Sequence, residues 1–299
     1  MAEALASDPR TIGPDSFASE HAYIKVRLLC LIITGAVNHK KKATHIKATW
    51  GKRCDILLFA SSKEDPTLPT IVLPVPDDWP NLWGKTKEAF KYVYEHYFDK
   101  ADWFFKADDD TFAIPENARD LLLLYDTNEP IYFGAKMKNI QNTYYAPGGA
   151  GYILSKEALR RFVTVAMRNQ SYCDINTTIG YEDRNIASCL HKVGVILKDS
   201  RDEKGKQRFL PLSPSFHTMP GPVDENHYYY SHTYFKTAKG KDCCSDKVIS
   251  FHHVLPEEMY IYNFFLYHVR IHGAISSVLI DCGNNKWLNN LSAPNIHDI

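Results

Sequence analysis

The first marked feature of the chain is an unbroken apolar run, residues 28–33, set in a segment (25–34) that ends near Gly35. A continuous run of this length predicts a strand buried on both faces. Short apolar runs at 56–60 and 70–75 predict two more strands. Residues 39–50 are Lys-rich and read as a helix that stops at Gly51, while 82–98 place Ala89, Phe90, Val93, Tyr94 and Tyr97 along one helical face. Residues 101–106 form a strand that runs into three aspartates, and 115–125 restart as a helix with Pro115 near its first turn. A strand at 131–133, a glycine-rich segment within 144–154, a helix at 156–167 opened by Ser155, a helix at 182–191 and a strand at 193–197 follow.

Strands alternating with helices predict an α/β fold, a mostly parallel central sheet with helices on both faces. The texture changes after Lys198. Residues 199–246 are polar, loop-rich and aromatic, with Pro211, Pro214, Pro220 and Pro222, before a strand at 248–253 and a helix at 256–270. Residues 1–22 read as a flexible lead-in or stem remnant, 23–270 as one domain, and 271–299 as a tail.

Charge narrows the partners. Lys plus Arg and Asp plus Glu number 35 each, a balance that gives no reason to expect nucleic acid or an acidic membrane surface. No segment approaches the roughly 20 apolar residues of a membrane helix. Aromatic residues reach 13%, and tyrosine and tryptophan suit either a packed core or carbohydrate. The seven cysteines show no zinc spacing, and with sequons at Asn169, Asn176 and Asn290 they favour disulfides in an oxidising lumen. Cys30 and Cys54 are placed for a bridge between neighbouring strands, and Cys173 and Cys189 for another. Adjacent Cα atoms lie only ~3.8 Å apart, short of the usual disulfide span of ~4.4–6.8 Å, so Cys243 and Cys244 are expected to reach elsewhere. Cys282 is left over.

The chemistry concentrates at Trp103-Phe104-Phe105-Lys106-Ala107-Asp108-Asp109-Asp110. An apolar strand delivers three carboxylates at its C-terminal end, where open α/β sheets bind ligands. In an extended chain Asp108 and Asp110 point the same way and can share a divalent cation. The other reading is a solvated acidic turn. The run Gly148-Gly149-Ala150-Gly151 permits close backbone approach or makes a plain turn, and lacks the spacing of a dinucleotide site. Glu182 and Asp183 open a helix, where acids either cap or serve as a general base. His252 ends a strand, as a metal ligand or as an ordinary strand-end histidine.

These segments occur in a telling order: Thr49-Trp50-Gly51, Leu82-Trp83-Gly84-Lys85, the strand with its aspartates, Gly148-Gly149-Ala150-Gly151-Tyr152, and Asp242-Cys243-Cys244-Ser245-Asp246. Over about residues 23–270 the chain resembles the β1,3-glycosyltransferase family that includes the Fringe proteins, and within it the members that galactosylate O-linked N-acetylgalactosamine. The resemblance implies a GT-A fold, a manganese ion and UDP-galactose as donor. It implies inverting transfer to the 3-hydroxyl of N-acetylgalactosamine α-linked to Ser or Thr of a glycoprotein. Type II anchoring in the Golgi and a homodimer are further implications, the anchor lying outside this sequence.

Carried over by motif, Asp108, Asp110 and His252 would hold the metal, with His217 as a second choice of histidine. Asp183 would be the catalytic base. Lys85, Trp50, Asp109, Glu182 and Gly149 would lie at the donor, and Tyr228, Tyr230 and Gly148 at the acceptor. The chain departs from the family at Arg184-Asn185-Ile186-Ala187-Ser188, at Ser215-Phe216-His217-Thr218 and at His227-Tyr228-Tyr229-Tyr230-Ser231, all on the expected acceptor side. That leaves a changed acceptor, or a catalytically silent binding partner, beside the galactosyltransferase reading.

Overall fold

A computed structural model describes residues 26–138 and 143–270. The lead-in, the tail, Cys282 and the Asn290 sequon lie outside the described residues. Strands β1 (Leu28–Ile33), β2 (Ile56–Ser61), β3 (Thr70–Val72), β4 (Trp103–Asp108), β6 (Ile131–Gly134), β9 (Tyr152–Ser155) and β10 (Ile196–Leu197) form a seven-stranded sheet in the order β10-β6-β9-β4-β1-β2-β3. Only β9 runs against the others. Strands β5 (Phe112–Ala113), β11 (Phe209–Leu210) and β12 (Ser250–Phe251) make a second small sheet, and β7 (Met137–Lys138) pairs with β8 (Tyr144–Tyr145).

The period-2 alternation of strand side chains builds two cores from one sheet. Leu29, Leu31 and Ile33 of β1 face one core, and Leu28, Cys30 and Ile32 face the other. The first is closed by helices α2 (Leu82–Tyr97), α4 (Lys156–Thr164) and α5 (Glu182–Lys192). The second is closed by α1 (Thr44–Ala48), α3 (Pro115–Leu122) and α8 (Pro256–Tyr267). The expected arrangement, helices on both faces of a mostly parallel sheet, is the observed one. Ser155 caps α4 as its sequence signals, accepting from the Ala158 N–H.

Other elements differ from expectation. The helix expected at 39–50 is a broken series around the five-residue α1, because Thr49 leaves the helical region (φ −112°, ψ −113°). The strand expected at 193–197 shortens to β10, since Gly194 takes a left-handed turn at φ +73°. Short helices α6 (Pro214–Thr218) and α7 (Tyr228–His232) occupy the stretch expected to be loop. Cys30 bonds Cys54, and Cys173 bonds Cys189. Cys243 and Cys244 bond each other across a Cα separation of 3.7 Å, against the expectation that each reaches elsewhere. With the other four described cysteines paired off, each has only the other left within the described residues. The asparagines of both described sequons, Asn169 and Asn176, are exposed.

Candidate active site

Strand β4 carries Lys106 and Asp108 on the face it shares with Phe104, toward the α2–α4–α5 core. Lys106 is fully buried, and its Nζ donates to Asp108 at 2.7 Å, to the Gly148 carbonyl at 3.2 Å and to Glu182 at 3.3 Å. Glu182 also accepts from the Tyr152 hydroxyl. Burial alone would lower the lysine pKa, but the two carboxylates override it and raise it, so the ammonium stays charged. Burial and the neighbouring Asp183 push Glu182 up while Lys106 opposes them. Glu182 is thus committed to a buried ion triad.

The chain turns at Asp109 instead of running on extended. The Thr111 N–H donates to the Asp108 carbonyl at 3.2 Å, and the Thr111 hydroxyl donates to the Gly149 carbonyl at 2.7 Å. The turn leaves Asp108 to Lys106 and brings Asp109 and Asp110 together at Lys42. Asp109 is buried and accepts from Thr34 (2.8 Å) and Asn38 (2.9 Å). Asp110 lies 3.1 Å from His252 Nε2, and Lys42 Nζ sits 3.1 Å from both Asp109 and Asp110. Burial works against its charge, yet His252 and Lys42 hold Asp110 well below the usual carboxylate range.

Pairing of β12 with β5, Phe251 opposite Phe112, brings His252 from far along the chain to this turn. Its Nδ1 lies 3.3 Å from the Pro211 carbonyl and its Nε2 faces Asp110, so both ring nitrogens meet acceptor oxygens, which outweigh burial and raise the imidazole pKa. His253 stacks on His252 and is the non-glycine residue among those described with a positive φ, +54°. One ligand atom each from Asp110, His252 and His253 lie within 4.8 Å of one another. A carboxylate with two imidazoles suits a borderline divalent ion. Asp108 lines the same cavity as the two histidines, although its carboxylate is engaged by Lys106.

The glycine run is shaped around these side chains. A Cβ on Gly148 would stand 2.6 Å from Glu182 Oε2, and one on Gly149 would overlap the His252 ring. Both glycines line a cavity of about 370 Å³ together with Asp183, Tyr145, Tyr181 and Tyr228. Asp183, the second residue of α5, accepts from the Gly148 N–H at 3.4 Å and the Arg184 N–H at 2.8 Å. Burial raises its carboxyl pKa above the ordinary value.

Other expected residues fall elsewhere. Trp50 is fully buried, its indole N–H donating to the Thr111 carbonyl at 3.0 Å, so it has no surface to offer a donor. Buried Lys85 donates to Asp77 at 2.7 Å and to the Thr34 carbonyl, bracing the chain behind Asp109. His217 lies apart from the metal-ligand group, accepting from the Leu212 N–H at 3.3 Å, and burial lowers it to about 4. Tyr228 reaches the cavity, its hydroxyl 2.6 Å from that of Tyr145, whereas the Tyr230 hydroxyl is buried without a partner among the described residues. Lys106, Lys42, Tyr145 and His253 were not anticipated. For Lys106 the signal was a lone cation in an apolar strand two residues before Asp108, on the same face.

A sequence profile described as Fringe-like matches residues 27–202, from β1 through β10. The chain belongs to the Fringe-like family. That match contains the acidic turn, the glycine run and Asp183, and stops short of His252. This Fringe-like chain is 42% identical over 260 residues to a glycoprotein-N-acetylgalactosamine 3-beta-galactosyltransferase 1 of Xenopus laevis, covering 87% of this chain and 71% of that one. It is 26% identical over 197 residues to a beta-1,3-glucosyltransferase of Homo sapiens (65% and 36% of the two chains). To a chondroitin sulfate synthase 3 of Homo sapiens it is 31% identical over 139 residues (43% and 15%). The mostly parallel sheet with helices on both faces is the GT-A type of fold that this family carries.

Proposed function

We propose that the protein transfers galactose from UDP-galactose to the 3-hydroxyl of N-acetylgalactosamine α-linked to Ser or Thr, with inversion, in the Golgi lumen. The observation that carries this reading is the 42% identity to a galactosyltransferase of that acceptor, sustained over 87% of the chain. The cavity is consistent with it. Asp183 lines the same cavity as His252 and Asp108, so the proposed base and the proposed metal ligands border one space.

In this reading Asp183 takes the proton of the attacking hydroxyl as that oxygen bonds the anomeric carbon. The bond to UDP breaks on the opposite face, and UDP leaves with the electron pair. Burial raises the Asp183 pKa above the ordinary value, which makes its carboxylate a better proton acceptor than an exposed one. The N–H groups of Gly148 and Arg184 hold its carboxylate in place. Lys106 fixes Glu182, and through it the first turn of α5. We assign Asp110 and His252, with Asp108 and His253 beside them, to a divalent ion, Mn²⁺ by family resemblance. When bound it would supply positive charge for the departing diphosphate.

The test is galactose transfer from UDP-galactose to a GalNAc-Thr peptide, with and without Mn²⁺ after thorough chelation. Transfer that needs added Mn²⁺ supports the reading. Transfer that survives chelation removes the metal role. UDP-galactose binding with transfer only to some other sugar would establish a changed acceptor, and no transfer to any acceptor a silent relative.

A further inference from the structure

Arg184 follows the proposed base directly and points its side chain across the rim of the cavity. Its guanidinium lies 4.7 Å from the Tyr181 ring centroid and 5.4 Å from that of Tyr145, and Nη2 donates to the Tyr228 hydroxyl at 3.4 Å. All three tyrosines line the cavity that Asp183 faces. Aromatic faces hold a guanidinium in place without neutralising it. Arg27, Arg53, Arg119 and Arg201 each close an ion pair with a carboxylate. Among the described residues no carboxylate stands within ion-pair distance of the Arg184 guanidinium. Asp183, its neighbour in sequence, is turned toward backbone N–H groups.

A guanidinium carries five N–H donors in a flat fork that matches a carboxylate. The tyrosine hydroxyls occupy part of that fork. The rest is an oriented cation at the edge of the cavity, with no carboxylate in ion-pair contact among the described residues.

We infer that Arg184 determines acceptor specificity by recognising an acidic side chain of the polypeptide next to the sugar being extended. The inference rests on the acceptor reading given above. The alternative is that Arg184 only props Tyr145 and Tyr228, in which case its loss would affect every acceptor alike.

Three GalNAc-Thr peptides, identical except for Glu, Gln or Lys on both sides of the threonine, separate these roles. The wild-type protein should favour the Glu peptide over the Gln peptide by about fivefold in kcat/KM, the scale of a partly exposed ion pair. The Lys peptide should be poorest, and the spread should narrow at high salt. Arg184→Gln should bring the Glu and Gln peptides to near parity with the KM for UDP-galactose unchanged, and Arg184→Lys should keep part of the preference. Equal use of Glu and Gln peptides by the wild-type protein overturns the inference whether or not the variant folds. So does a preference that persists in Arg184→Gln. Transfer that ignores flanking charge leaves the acceptor reading intact, whereas no transfer to any of the three peptides overturns both.

Discussion

A lysine in the middle of an apolar strand is costly to bury unless its charge is met. Lys106 is met twice, by Asp108 and Glu182, and those contacts fix the start of α5 against β4. Asp183 is the neighbouring acid with no such cation in contact. Its pKa rises through burial, and only N–H groups and more distant charges oppose the rise. As a base it works when deprotonated, so kcat/KM should fall as pH drops through a pKa above the ordinary aspartate value of about 3.9. Asp183→Asn should keep UDP affinity and lose transfer by roughly 10²–10⁴-fold. Isothermal titration with UDP and a radiolabelled galactose assay measure the two effects, and near wild-type transfer would place the base elsewhere. Residue by residue, the sequence showed the acids and concealed what neutralises them. Lys106 is readable only through its i, i+2 spacing from Asp108, and Lys42 and Asn38 reach the acidic turn from a segment about 70 residues away. Trp50 and Lys85 illustrate the reverse. Both were expected at the donor, and both are buried inside the fold, one filling a core and one bracing the β1 end.

At the scale of elements, the active-site wall is the connection from β8 to β9, and its shape depends on missing side chains. Gly149 lies against the His252 imidazole so closely that a Cβ there would occupy the ring's place. The ring cannot move freely, since Nδ1 is tied to the Pro211 carbonyl and Nε2 faces Asp110. Gly149→Ala should therefore displace His252, weaken Mn²⁺ binding by about tenfold or more, and reduce transfer in parallel. Manganese titration followed by electron paramagnetic resonance checks this, and unchanged affinity would show that His252 is not needed to hold the ion. The element pattern itself was legible where burial is regular: β1, α2, α4 and α5 follow from apolar periodicity and a Ser155 cap. β12 falls within the strand expected at 248–253, but two-residue strands such as β5 and β11 carry no periodic signal, because they exist only through pairing with it. They are nevertheless the elements that bring His252 to Asp110.

On the scale of the whole molecule, the proposed metal site joins the turn after β4 to a loop some 140 residues later, and no shorter piece of the chain contains both. Asp110 and His252 meet only when the central sheet and the small β11–β12–β5 sheet are both formed. An ion that bridges them binds the folded state and has no comparable site in the unfolded chain, so it must stabilise the fold by mass action. At a concentration near 100 times its dissociation constant the gain is about 2.7 kcal/mol, which for a domain of this size raises Tm by roughly 5–10 °C. Without the ion, Lys42 supplies the countercharge to Asp109 and Asp110, so the metal-free protein should still fold. The informative quantity is the Mn²⁺-induced increment in Tm, since variants shift the baseline for other reasons. Asp110→Asn and His252→Ala should each abolish most of that increment, while His217→Gln, at a buried histidine apart from the ligand group, should retain it in full. Differential scanning fluorimetry across a Mn²⁺ titration reads this without any assay of transfer. An undiminished increment in both ligand variants would move the ion away from the β4 turn.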